Sequence, residues 1–87
     1  MGSKVNPAFI SAFNDLKYAK LKLNALERNP HVNPMEHKAA ENNFHRAESI
    51  FCAQEGIVED TSSNALTKDQ AANQVNSMMN EMRSWYA

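Results

Sequence analysis

The sequence predicts an all-α fold: an antiparallel helical hairpin followed by a third, amphipathic C-terminal helix, arranged as a three-helix bundle or as an oligomeric helical assembly. Three observations predict it. Helix-starting patterns recur at Asn6-Pro7, Asn33-Pro34 and Thr67. Apolar residues between them return every three or four positions, the period of a helix face. The chain has only two glycines, three prolines and few β-branched residues, and no run alternates apolar with polar at period two, which argues against a sheet.

The first helix is expected over about residues 6–28. Asn6 can cap the free backbone N–H groups, and Pro7 suits the first helical position because its missing N–H is not needed there. Val5 and Ile10 have the spacing of a hydrophobic staple. Asn29-Pro30 ends the helix, since Pro30 cannot continue it and disfavours helical geometry in the residue before it. Phe9, Ala12, Leu16, Ala19, Leu23 and Leu26 form a heptad seam, widened by Phe13. Ile10, Tyr18, Leu21 and Ala25 lie away from it, so this helix is apolar on two sides and needs two neighbours.

The second helix is expected over about 33–55, capped by Asn33, with Glu36 placed to return a bond to the cap and to meet the positive helix end. Gly56 reads as a left-handed cap. His37, Ala40, Phe44, Ala47 and Phe51 form its seam. Both seams interleave Ala with large residues, which predicts close backbone approach at a shallow crossing angle. The short connection between the two helices makes them antiparallel.

Residues 56–66 read as a polar loop. The third helix, about 67–86, opens with Thr67 and Gln70 in capping-box spacing. Ala71, Ala72, Val75, Met78, Met79, Met82, Trp85 and Tyr86 form one broad apolar stripe opposite a polar face. The whole chain, 1–87, reads as a single helical domain, too small to bury a large core, for which oligomerisation is a usual remedy.

Charge and motifs narrow the function classes. The net charge of −1 disfavours nucleic acid as a partner. Lysines concentrate in the first helix and acids in the second, consistent with one lying against the other. No stretch has the length and apolarity of a membrane span, and no signal peptide is evident, so the expected location is the cytoplasm. Met1-Gly2-Ser3 has the composition of a cloning remnant, and Asn6 stands where a myristoylation signal has Ser or Thr. Cys52, the single cysteine, is expected as a half-buried small hydrophobe.

Catalytic and cofactor motifs are lacking. Two glycines cannot build a nucleotide-binding loop, and H-E-x-x-H, C-x-x-C and G-x-S-x-G are absent. Asp60, Ser62 and Asn64 alternate as in a calcium loop, but Ala65 and Ala71 replace its glycine and its bidentate acid. His37, Glu41, His45, Glu48, Cys52 and Glu55 share one side of the second helix, and a solvated polar face is the plainer reading than a metal site. His37, on the apolar edge, is expected as a partly buried histidine. His45 and Cys52 stand about 10 Å apart along the axis, too far for proton transfer. No cofactor and no enzymatic activity are expected.

The expected function is that of a non-enzymatic protein–protein interaction module, an adaptor, inhibitor or assembly factor, acting as a homo-oligomer. Its partner is itself or another protein, held by Ile10 and Leu21 on the first helix and by Val75, Met78, Met79, Met82, Trp85 and Tyr86 on the third. An alternative is a small-ligand or nucleotide binder that uses Lys17, Tyr18, Lys20 and Lys22 for phosphate and base contacts. A second alternative is a nucleic-acid-binding regulator using the first helix.

Overall fold

A computed structural model describes residues 2–86. The element order is β1 (Gly2–Val5), α1 (Pro7–Glu27), α2 (Pro34–Cys52), β2 (Ile57–Asp60) and α3 (Lys68–Trp85). The fold is mostly helical, 68% helix, but not strictly all-α: β1 and β2 form a two-stranded sheet. The chain divides into two compact units, one drawn from Met1–Ser11 with Gln54–Ala87 and the other from Ala12–Ala53.

The sheet belongs to the first unit. β1 runs antiparallel to β2, with Val5 opposite Ile57, Lys4 opposite Val58, Ser3 opposite Glu59 and Gly2 opposite Asp60. Val5, Ile57 and Val58 supply the β-branched side chains that favour extended backbone. On its other side Ser3 exchanges both backbone hydrogen bonds with Leu66, at 2.7 and 2.8 Å. Gly2 and Ser3 are therefore part of a strand where no strand was expected; Met1 lies outside the described residues. A side chain at Gly2 would overlap that of Ala65.

Asn6 joins this sheet to α1. Its backbone N–H donates to the Gly56 carbonyl at 2.9 Å, and its side-chain amide donates to the Glu55 carbonyl at 2.9 Å. Its Oδ1 accepts from the Ala8 N–H at 3.1 Å, which is the expected cap. Val5 is buried, whereas Ile10 is exposed. Gly56 is not a left-handed cap: no described residue has a positive φ, and α2 already ends at Cys52. A Cβ at Gly56 would stand 3.3 Å from Val75 Cγ1, so the residue is small to admit α3.

α3 packs against both strands. Its start is the predicted capping box: the Gln70 N–H donates to Thr67 Oγ1 at 3.1 Å, and the Thr67 N–H donates to Gln70 Oε1 at 2.9 Å. Ala71 is fully buried, and Val5 and Phe9 complete the apolar centre of this unit.

The second unit is the helical hairpin. Asn33 caps α2 by accepting from the Met35 N–H at 2.9 Å. The predicted seams are the buried faces: Ala12, Phe13, Leu16 and Leu23 from α1, and Ala40, Phe44 and Phe51 from α2. Phe13 meets Phe51 with ring centroids 6.0 Å apart, Lys20 Nζ sits 5.3 Å from the centre of the Phe44 ring, and His37 Nε2 is 3.8 Å from Glu27 Oε1. Those three pairings advance along α1 as they retreat along α2, so the hairpin is antiparallel.

Candidate functional site: the outer face of α1

On a helix of 3.6 residues per turn, successive side chains turn by about 100°. The buried residues Ala12, Leu16 and Leu23 therefore cluster on one side of α1. Asn14, Tyr18, Leu21 and Ala25 fall on nearly the opposite side, at spacings of four, three and four. All four are exposed, Tyr18 at 70% and Leu21 at 59%. Ile10, in the first unit, is 41% exposed. The hairpin covers one face of α1 and leaves this one open.

The edges of the face are charged. Asp15 and Lys22 lie along one edge, Lys17 and Asn24 along the other. Asp15 and Lys22 are exposed, while Lys17 and Asn24 are half-buried. Lys17, Tyr18, Lys20 and Lys22, the alternative ligand set, do not converge. Lys20 lies over Phe44, Lys22 projects from the far edge, and Tyr18 stands between Lys17 and Lys22. No enclosed pocket is present among the described residues.

The α3 stripe is placed differently. Val75, Met78, Met79, Met82 and Trp85 are half-buried, and Tyr86 is 52% exposed. With Ala71 buried and Val75 against Gly56, the first turns of the stripe are a wall of the first unit's centre. α2 also exposes Met35 and Ile50, which the seam pattern does not single out. They are about 22 Å apart along the axis and share no patch.

The polar side of α2 brings two histidines within 4 Å of one glutamate. His37 Nδ1 is 3.9 Å from Glu41 Oε2, and His45 Nε2 is 3.9 Å from Glu41 Oε1. His37 is partly buried, as its place on the seam edge implies. Among the described residues no three His, Cys, Asp or Glu side chains are grouped to hold a metal ion. Cys52 is exposed, not half-buried: it stands one position beyond the buried Phe51 in the last turn of α2, outside the seam. No helix is long and apolar enough to cross a membrane.

Asp60 is held below the usual aspartate range, chiefly because its carboxylate accepts from the Ser62 backbone N–H at 2.9 Å. The Ser62 hydroxyl, at 3.1 Å, acts in the same direction, burial opposes it, and the charge of Lys4 adds the smallest lowering. This turn leads from β2 towards α3 and has no exposed apolar neighbour of the kind found on α1.

Comparison with known protein families, with curated proteins and with solved structures finds no match to this chain.

Proposed function

We propose that this protein is a non-enzymatic helical interaction module that works as a homo-oligomer in the cytoplasm, with the outer face of α1 as its principal contact. One observation carries the reading: α1 exposes Tyr18 and Leu21 on the side opposite its buried seam. Water contact on such a face is unfavourable by about 25 cal/mol per Å² of apolar surface, and a partner surface removes it. Tyr is also a favoured anchor of protein interfaces. The α3 stripe contributes less, because its early part is committed to the sheet. The exposed Cys52 thiol suits a reducing compartment.

Light scattering coupled to gel filtration, across a wide concentration range, tests the assembly. The expected result is a mass above that of one chain that falls on dilution. A strictly monomeric protein at every concentration removes the homo-oligomer reading. A thermal-shift screen with nucleotides and divalent cations tests the competing ligand reading. A saturable rise in melting temperature would favour it, because a ligand that binds only the folded state stabilises by mass action.

A further inference from the structure

We infer that the outer face of α1 is a two-fold dimer contact, in which α1 of one chain lies antiparallel against α1 of a second copy with Tyr18 beside the partner's Leu21. This rests on the homo-oligomer reading above and adds the occupant, orientation and register.

The spacing of the exposed face is that of a coiled-coil seam. Asn14 and Leu21 take one core position of the heptad, and Tyr18 and Ala25 the other. The flanking positions are Asp15 and Lys22 on one edge and Lys17 and Asn24 on the other. All eight belong to the same compact unit and to one helix, so their relative placement is fixed.

The charges choose the orientation. In a parallel pair each edge meets the opposite edge of its partner, five residues further on. That keeps Asp15 of one chain away from Lys22 of the other, so their charges do not meet. In an antiparallel pair each edge meets its own counterpart. With Tyr18 level with the partner's Leu21, Asp15 falls nearest the partner's Lys22, and Lys22 nearest the partner's Asp15. On the other edge Lys17 falls nearest the partner's Asn24. The antiparallel arrangement thus has two attractions that the parallel one lacks.

The core register is consistent with the same choice. Tyr18 and Leu21 pair with each other about the two-fold axis, large against large at the centre. Asn14 meets the small Ala25 at each end, where its amide reaches water at the rim. A lone polar side chain in a seam is a known device for fixing register. The contact is isologous: it uses the same patch on both chains and closes on itself, so it gives a dimer and not a filament.

The test combines equilibrium sedimentation with cysteine trapping. Asp15→Lys and Lys22→Glu, each alone, should weaken dimerisation at least tenfold, and the double variant should restore it. All three should keep the helical circular dichroism of the parent, since both residues are exposed. In a Cys52→Ser background, an equimolar mixture of Asn14→Cys and Ala25→Cys chains should yield the mixed disulfide on mild oxidation. Self-coupling of Asn14→Cys alone would show a parallel pair and overturn the proposal. A dimer that withstands both charge reversals and Leu21→Lys overturns it while leaving assembly through another surface intact. A chain that is monomeric throughout overturns both. So does a monomer that sediments with phosphatidylserine vesicles and loses this with Leu21→Glu, which would assign the face to a lipid surface.

Discussion

The Asn6 side-chain amide donates to the carbonyl of Glu55 at 2.9 Å, a contact across 49 positions of sequence. The same side chain caps α1 through Oδ1, and the same residue's backbone N–H holds Gly56. One residue therefore starts a helix and fastens it to the segment that follows α2.

Asparagine and aspartate are nearly equal as helix caps, so Asn6→Asp separates the two roles. The carboxylate keeps the bond from Ala8 but points an acceptor at the Glu55 carbonyl. The expected loss is about 0.5–1.5 kcal/mol, the net contribution of a typical hydrogen bond. Asn6→Ala loses the cap as well and should cost more. Urea denaturation of both variants measures the difference, and a neutral Asn6→Asp would show that the Glu55 bond contributes nothing.

Room, not backbone conformation, is what Gly56 supplies. Gly56→Ala places a methyl 3.3 Å from Val75 Cγ1 and should change stability by less than about 1 kcal/mol. Gly56→Val forces branched atoms into the same space and should cost about 1–3 kcal/mol, the range for overpacking. Pairing Gly56→Val with Val75→Ala should recover part of the loss. Failure of that rescue in thermal melts would place the cause elsewhere.

The two sides of α1 and its neighbours should respond differently to truncation. Phe51→Ala empties a position that is 3% exposed and touches Phe13, and should destabilise by about 3–5 kcal/mol. Tyr18→Ala should alter the stability of the isolated chain by about 0.5 kcal/mol or less, as an exposed substitution does. Denaturation at the lowest workable concentration keeps assembly out of that comparison. A large loss with Tyr18→Ala would mean that its ring supports the fold of a single chain.

The turn after β2 should be acid-sensitive. Ser62 stabilises the charged form of Asp60, so the folded carboxyl titrates below the unfolded value of about 3.9. The contribution is fully present above that unfolded value and is lost as pH falls through the lower folded one. NMR titration of the Asp60 carboxyl carbon should show a midpoint below 3.9, and Ser62→Ala should raise it. An unchanged midpoint in Ser62→Ala would remove Ser62 as the cause.

Helix starts were legible because capping chemistry is local. Asn33 with Pro34, and Thr67 with Gln70, complete their bonds within a few residues and need no knowledge of the rest of the chain. The seams were legible for the same reason, and so was the second apolar side of α1, on which the candidate site rests. The sheet was not. Four-residue strands are too short to display a period, and the residues that stabilise Gly2–Val5 lie beyond two helices. Gly56 misled because a glycine after a helix usually marks a left-handed end; its role here depends on Val75, which only the fold brings near. Cys52 misled because α2 ends sooner than its pattern, and nothing beyond Phe51 covers it.

The pairing of Gly2–Val5 with Ile57–Asp60 and with Leu66 also orders events in time. The strand is made before α1 and α2, yet both of its partners are made after them. At a synthesis rate of about 5–20 residues per second, it waits several seconds for its neighbours, long after the hairpin helices can form. During that interval its backbone is an open edge available to other nascent chains. The lysine at its centre, Lys4, is the kind of charge that discourages such premature pairing.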